Sequence, residues 1–331
     1  MMRLLMYNAR PDEMVNFKVL EDEYKIVIKT TDKGLNKDTV SLARGFDGIT
    51  VQQHGAIDDE MIYAKLADFG IKQISLRITG YDIINFKFAN KYDIKITNVP
   101  AYSPRSVSEL VLADVMSLLR HLRETHLRED RGDFAWDGLQ AREIHNLTVG
   151  IIGAGKIGSA VARIFKALGA KVLVADPIKR PELFDTVEYV DYNTLFKQAD
   201  VVTMHTPMTE FMNHFMNAER FEQMKNDAIF INASRGPVVD TKALITALND
   251  QQIAGAAIDT FEGEAGITGV DLSKSGFDNE NLAELLKMPN VIVTPHIGFY
   301  TDAAVKNMDL ISVRDAFKIL NGEEPLHLVN K

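Results

Sequence analysis

The segment GIIGAGKIG, residues 150–158, restricts the possible folds of this chain more than any other feature. An apolar run meets three glycines there, Gly153, Gly155 and Gly158, and a helix-forming stretch follows. Gly153 permits a tight turn, Gly155 lets phosphate groups approach the backbone, and Gly158 lets helix and strand pack closely. The helix N-terminus stabilises phosphate charge. The segment predicts a strand–turn–helix unit that binds a dinucleotide, with a purely structural glycine turn as the alternative.

A second strand-like run, KVLVAD, ends at Asp176, 18 residues after Gly158. An acidic residue at this distance accepts hydrogen bonds from the ribose hydroxyls of the adenosine half of a dinucleotide. A 2′-phosphate would meet this carboxylate at close range. The pattern therefore predicts NAD rather than NADP as the cofactor.

The rest of the chain has the rhythm of an α/β protein. Its 331 residues are 46% apolar, which suffices for two cores. Short β-branched runs at 26–28, 48–50, 73–76 and 94–97 alternate with helical patterns, and a second alternating series begins at Leu147. We predict two Rossmann-like, doubly wound parallel-sheet domains with an interdomain cleft.

Two long helices are predicted outside these series. Ser103 is a suitable N-cap and Pro104 a suitable first residue for a helix that extends to about Leu122. A second amphipathic helix is expected from Asp302 to Leu320.

Composition narrows the function classes. The net charge of −9 and the lack of a basic tract argue against nucleic acid and anionic membranes as partners. No apolar run approaches the length of a membrane helix, and the N-terminus does not resemble a secretory signal. With zero cysteines, disulfides and thiolate metal sites are excluded. No clustered histidines or carboxylates with the spacing of metal ligands are found in the sequence. We expect the protein to be cytoplasmic.

Three residues that follow predicted strands could carry chemistry. Arg235 lies in INASRGP, Glu264 in IDTFEGEAG and His296 in NVIVTPH. Each alone is compatible with a solvated loop charge or a structural histidine. Together, at the sheet edge where ligands bind, they form an acid and anion-binding group suited to hydride transfer. Arg235 would hold a carboxylate and polarise a carbonyl, His296 would donate a proton, and Glu264 would orient the imidazole.

With these residues placed, the chain resembles the D-2-hydroxyacid dehydrogenase family, most closely its D-lactate dehydrogenase branch, along essentially its whole length. The matching segments are SLRITGYD, TNVPAYSP, TVGIIGAGKIG, INASRGPVVDT, AAIDTFEGE and VTPHIGFYT. The resemblance implies a substrate domain of residues 1–100 plus 300–331 and an NAD-binding domain of residues 101–299. It also implies a homodimer that reduces a 2-keto acid with NADH to a D-2-hydroxy acid, pyruvate to D-lactate being the first choice.

The resemblance assigns further residues to the site. Arg235, Glu264 and His296 keep the catalytic roles given above. The backbone of Thr79 and Gly80 would hold the substrate carboxylate, and Tyr102 and Phe299 would line the side-chain pocket. Residues implied for the cofactor, besides the three glycines and Asp176, are Lys156, Ile157, Thr206, Pro207, Asn213, Ala233, Ser234 and Asp259.

Some positions depart from the lactate branch and leave the substrate open. An aromatic residue is common near position 52, where this chain has Gln52, with His54 nearby. Gly298 replaces the usual alanine and would slightly enlarge its neighbourhood. A keto acid bulkier than pyruvate is therefore one alternative, and a non-catalytic NAD(H)-sensing binding protein of the same fold is another. Phosphoglycerate dehydrogenase and formate dehydrogenase fit less well.

Overall fold

The computed structural model of the chain describes residues 1–53 and 55–330. It divides into two compact units: unit 1 comprises Met1–Ser103 and Tyr300–Lys331, and unit 2 comprises Pro104–Phe299. His54, considered above for the substrate pocket, lies outside the described residues.

Unit 1 is built on a parallel sheet that has five strands within the described residues. These are β1 (Arg3–Tyr7), β2 (Val27–Thr30), β3 (Gly48–Val51), β4 (Gln73–Leu76) and β5 (Lys95–Thr97). Their order is β2-β1-β3-β4-β5. In this doubly wound order β2 lies on one side of β1 and β3 to β5 lie on the other. Because all five strands are parallel, the loops after them meet at one edge of the sheet.

Helices pack on this sheet because each presents an apolar stripe. They are α1 (Met14–Tyr24), α2 (Glu60–Asp68), α3 (Phe86–Lys91) and, from the end of the chain, α11 (Asp302–Leu320). The side chain of Thr301 caps α11 by accepting a hydrogen bond from the Ala304 N–H. Val313 and Ala316 of α11 are buried against Leu4 and Met6 of β1. The end of the chain thus completes the core of unit 1.

Unit 2 has a parallel sheet of seven strands among the residues described. They are β6 (Thr148–Ile152), β7 (Lys171–Ala175), β8 (Glu188–Tyr189), β9 (Val201–Met204), β10 (Ile229–Asn232), β11 (Gly255–Ile258) and β12 (Val291–Val293). The order is β12-β11-β10-β9-β6-β7-β8. The strand order switches sides between β9 and β6, because β7 and β8 lie on one side of β6 and β9 to β12 lie on the other. Ligands bind outside the carboxyl ends of strands at such a point.

The helices of unit 2 are α4 (Pro104–Leu119), α5 (Leu122–Glu129), α6 (Lys156–Ala167), α7 (Tyr192–Gln198), α8 (Ala218–Glu222), α9 (Thr241–Asn249) and α10 (Glu280–Leu285). Alternate strand residues enter two separate apolar clusters: Ile229 and Ile231 belong to one, and Phe230 belongs to the other. The sheet is therefore buried on both faces, as expected of a doubly wound parallel sheet.

The predicted fold class, two doubly wound parallel-sheet domains, is confirmed. The last helix has the predicted bounds. The predicted end of the first long helix, at about Leu122, was wrong, because α4 ends at Leu119. His121 has a left-handed backbone conformation, with φ of 51°, which interrupts the helix. A new helix, α5, begins there. No helix among residues 1–53 and 55–330 is long and apolar enough to cross a membrane.

Candidate active site

The glycine turn in unit 2 has the steric features that the sequence predicted. Gly153 has φ of 92°, and a Cβ on it would lie 2.5 Å from the His205 carbonyl oxygen. A Cβ on Gly158 would lie 2.0 Å from the Gly153 carbonyl oxygen. A Cβ on Gly155, the N-cap of α6, would meet nothing within 4 Å. Two glycines are thus required by packing, whereas the third leaves open space where a phosphate can approach the helix N-terminus.

Asp176 follows β7 and is bonded to the same turn. Its Oδ2 accepts a hydrogen bond of 2.6 Å from the Ala154 N–H, and its Oδ1 accepts one of 2.7 Å from the Ile178 N–H. These bonds hold the carboxylate beside the glycine turn, where a ribose would have to lie.

A groove of about 910 Å³ runs along α6 from Gly155. Its charged lining consists of Arg105, Lys156, Arg163, Arg180 and Glu182. Cations outnumber acids in this groove although the chain has a net charge of −9. The charge is complementary to a dinucleotide's phosphates.

The other residues implied for the cofactor also follow the strands of unit 2. Lys156 and Ile157 begin α6, Thr206 and Pro207 come after β9, and Asn213 follows a short 3-10 helix. Ala233 and Ser234 come after β10, and Asp259 comes after β11. Because all strands are parallel, these loops share one sheet edge.

Thr206 gives independent support for a ligand at this edge. Its Oγ1 is buried and has no hydrogen-bond partner among the described residues. A buried hydroxyl without a partner costs free energy, so a polar ligand group that bonds to it would be favoured. With the open side of Gly155, this observation fits a bound dinucleotide.

The structure brings Glu264 and His296 together at the ends of β11 and β12. His296 Nδ1 lies 3.2 Å from both carboxylate oxygens of Glu264. The two side chains are only 19% and 16% exposed. The contact with the carboxylate at Nδ1 orients the imidazole ring.

The backbone around His296 is unusual. His296 has φ of 56°, a left-handed conformation that is uncommon for a residue other than glycine. Its N–H donates to the Asp259 carbonyl, while the Asp259 carboxylate accepts from Thr294 Oγ1 and from the Ile297 and Gly298 N–H groups. Such strain is typical of functional sites and persists only where neighbouring bonds hold it.

Arg235 and Phe299, two further predicted site residues, also lie in unit 2. Arg235 follows β10, the neighbour of β11, and its Nη1 donates to the Ser234 carbonyl at 2.8 Å. The Phe299 ring stands edge-on to the His296 ring, with centroids 6.4 Å apart. The loops that carry Arg235, Glu264 and His296 thus follow three adjacent strands.

The remaining predicted substrate residues lie in unit 1, after β4 and β5. Thr79 Oγ1 donates to the Val99 carbonyl at 2.7 Å, and the Thr79 carbonyl accepts from Asn98 Nδ2 at 2.6 Å. No hydrogen bond within the described residues uses the Thr79 or Gly80 N–H. The Tyr102 carbonyl accepts from Asn307 Nδ2 of α11.

Sequence reasoning missed several buried ionisable groups. Burial lowers the pKa of His205 to about 3, so this ring is neutral, with Nε2 2.9 Å from Thr203 Oγ1. Burial and the charge of Asp259 raise the pKa of Asp114, in α4, to about 7. A charged residue on the apolar stripe of a predicted helix was the signal for Asp114. In the described part of the chain, no group of three or more His, Asp or Glu side chains could hold a metal ion.

A glycine turn with an acid after the next strand, and a His–Glu pair at the same sheet edge, are features of a dinucleotide-dependent oxidoreductase. Residues 112–298 match the family model described as the D-isomer specific 2-hydroxyacid dehydrogenase NAD binding domain.

Known proteins agree with this match. D-lactate dehydrogenase from Lactobacillus delbrueckii subsp. bulgaricus is 39% identical to the chain, with 98% of each covered. An aromatic 2-oxoacid reductase from Clostridium sporogenes is 36% identical, with 93% of each covered. The crystal structure of D-lactate dehydrogenase with NAD+ from Lactobacillus jensenii superposes with a TM-score of 0.89 at 40% identity and covers 100% of both chains. The chain belongs to the D-isomer specific 2-hydroxyacid dehydrogenase family, and its cofactor is NAD.

Proposed function

We propose that the chain reduces a 2-keto acid to a D-2-hydroxy acid with NADH, and that pyruvate and D-lactate are the principal pair. The observation that carries this proposal is the Glu264–His296 contact at the ends of β11 and β12. Hydroxy acid and keto acid differ by a hydride and a proton. A histidine that is oriented by a carboxylate is suited to moving that proton near neutral pH.

The three catalytic residues have distinct tasks in the proposed reaction. Arg235 binds the substrate carboxylate and polarises the carbonyl through the two arms of its guanidinium. His296 Nε2 donates a proton to the carbonyl oxygen as the alcohol forms, and Glu264 stabilises the ring at Nδ1. NADH, when bound, supplies the hydride. In the direction of oxidation, His296 accepts the proton.

The loop after β4 would hold the substrate carboxylate. The N–H groups of Thr79 and Gly80 are not used by other described residues, which supports this role. Tyr102 and Phe299 would line the pocket for the substrate side chain, together with Gln52, which is 7% exposed. We propose that residues 1–100 plus 300–331 are the substrate domain and that residues 101–299 are the NAD-binding domain.

For the cofactor, we propose that Gly153, Gly155, Gly158, Lys156 and Ile157 hold the pyrophosphate and that Asp176 binds the adenosine ribose. Residues from the loops after β9, β10 and β11 would hold the rest of the molecule; they are Thr206, Pro207, Asn213, Ala233, Ser234 and Asp259. Because the Asp176 carboxylate repels a 2′-phosphate, NADH is preferred to NADPH.

A homodimer in the cytoplasm is the form that we propose for the working enzyme. Phe134 and Trp136 are 73% and 88% exposed in the structure of a single chain. Large apolar side chains so exposed are candidates for a contact with a second copy. Light scattering after size-exclusion chromatography measures the mass, and cell fractionation measures the location.

One experiment tests the proposed function. The purified protein is mixed with NADH or NADPH and with pyruvate, 2-ketobutyrate, 2-ketoisocaproate or phenylpyruvate, and the chirality of each product is determined. D-lactate formed fastest with NADH supports the proposal, and preference for a larger keto acid would revise the substrate. Tight NADH binding without turnover of any keto acid would favour a nucleotide-sensing protein instead.

A further inference from the structure

Arg77, the first residue after β4, is fully buried in unit 1. Its guanidinium donates to Thr50 Oγ1 at 2.6 Å and to the Tyr7 and Asn8 carbonyls at 3.1 and 3.3 Å. These partners lie at the carboxyl ends of β3 and β1. Arg77 therefore joins three neighbouring strands at the edge where the substrate loop begins.

Two buried acids face the same guanidinium. Glu13 Oε1 lies 3.2 Å and Asp309 Oδ1 lies 3.6 Å from Arg77 Nε, and neither side chain is exposed. A buried cation is expensive unless it is paired and hydrogen-bonded. Glu13, which accepts a hydrogen bond from Arg77 Nε, thus supplies the paired charge that the buried cation needs. Asp309 packs against the same group from helix α11 at 3.6 Å.

The loop that follows Arg77 is held at both of its ends. At its start, the Arg77 N–H donates to the Val51 carbonyl at 2.8 Å. At Thr79, Asn98 and Val99 supply the contacts described above. Between these anchors, Arg77 is separated from Thr79 by Ile78 alone, so a movement of Arg77 would be transmitted to the Thr79 and Gly80 N–H groups.

We propose that Arg77, held by Glu13 and by its hydrogen bonds to the ends of β1 and β3, is a positioning residue that sets the conformation of residues 77–80 and thereby the affinity for the substrate carboxylate. This inference rests on the proposed role of Thr79 and Gly80. Arg77 does not bind substrate itself, because its side chain is fully buried and its donors already have partners within unit 1. Its effect passes through the backbone.

The test compares Arg77→Lys and Thr50→Val with the parent enzyme. Lysine keeps the charge but cannot bond to Thr50, Tyr7 and Asn8 together. Valine keeps the shape of Thr50 and removes the hydroxyl, which accepts from Arg77 and donates to Met6 Sδ. It serves as the milder variant if Arg77→Lys fails to fold. Asp315→Asn is the matched control, since Asp315 is buried in the same helix as Asp309 but pairs with His327.

The proposal predicts a change in KM rather than kcat. The substrate carboxylate is unchanged in the reaction, so a displaced loop weakens ground state and transition state equally. We expect the keto-acid KM to rise roughly tenfold in Arg77→Lys and about threefold in Thr50→Val. The kcat and the Kd for NADH should stay within about twofold, and the KM of Asp315→Asn should not change.

Hydrogen exchange of residues 77–83, measured by mass spectrometry, reports directly on how well the backbone of this loop is ordered. Faster exchange in Arg77→Lys and Thr50→Val, but not in Asp315→Asn, supports positioning. An unchanged KM in both folded variants, an equal KM rise in the control, or unchanged loop exchange would overturn the inference. A parent protein that reduces no keto acid would instead refute the proposed function, and loop exchange would still decide whether Arg77 positions the loop.

Discussion

Asp309 allows a quantitative prediction about stability. Its side chain is fully buried on α11, where Oδ2 accepts a hydrogen bond from Asn16 Nδ2 at 2.8 Å. Burial and the negative charge of Glu13 raise its pKa from 3.8 to about 8, and the nearby Arg77 cation opposes them only in part. Arg10 also belongs to this charged cluster, because its Nη2 lies 3.4 Å from Glu13 Oε1. At pH 7 Asp309 is therefore protonated in the folded protein and ionised in the unfolded chain.

The proton taken up on folding costs free energy at neutral pH. The interval between pH 7 and the ordinary pKa of 3.8 corresponds to about 4 kcal/mol. Because the folded pKa is raised, the contribution of Asp309 to stability is fully present below about pH 4 and is lost as the pH rises through about 8. The amide introduced by Asp309→Asn would be neutral at every pH and could still accept a hydrogen bond from Asn16. We expect the variant to gain up to about 4 kcal/mol at pH 7.

Urea unfolding of parent and variant between pH 5 and pH 9 measures the effect, with hydrogen exchange of the α11 amides to report on unit 1. The difference in the free energy of unfolding should grow by about 1.4 kcal/mol per pH unit up to about pH 8 and then level off. Asp22→Asn removes an exposed carboxylate and should leave the pH dependence unchanged. Parallel curves for parent and Asp309→Asn would refute the assignment of a neutral Asp309.

Four further predictions concern unit 2. Arg235→Lys should lower kcat/KM for the keto acid roughly 100-fold, since an ammonium cannot replace the forked guanidinium; steady-state rates near those of the parent would remove Arg235 from the site. Glu264→Gln should lower kcat about 100-fold with NADH binding, measured by fluorescence, unchanged. Gly158→Ala should weaken NADH binding at least roughly tenfold, because its Cβ would collide with the Gly153 carbonyl. Asp176→Ala should raise the NADH Kd about tenfold and narrow the preference over NADPH, as two titrations would detect.

Features that depend on local pattern were predictable from the sequence. The helix Asp302–Leu320 has a threonine cap and one apolar stripe, and its predicted bounds agree with the structure. Strand β4 has the predicted range 73–76. The first strand, Arg3–Tyr7, was overlooked although its run RLLMY is apolar, because a strand at the chain start lacks a turn signal before it.

Features made by distant parts of the chain were not predictable. Glu13 and Arg77 are 64 residues apart in sequence, and Asn16 and Asp309 are 293 apart. No periodicity or motif links the members of either pair. In the sequence alone, Glu13 and Asp309 are each indistinguishable from an ordinary surface charge. The Glu264–His296 contact could be predicted because both residues follow strands of one parallel sheet, whose carboxyl ends share one edge.

Gly298, which replaces the usual alanine, does not enlarge the surroundings of the site in the structure. The sequence suggested that glycine here would enlarge the surroundings of the site. A Cβ on Gly298 would instead lie 2.8 Å from Asp259 Oδ2, the atom that accepts the Gly298 N–H. The space that an alanine methyl would occupy is thus filled by a carboxylate that holds the strained loop of His296. Room for a keto acid larger than pyruvate would therefore have to come from another position, and among the described residues Gln52 is the departure that remains.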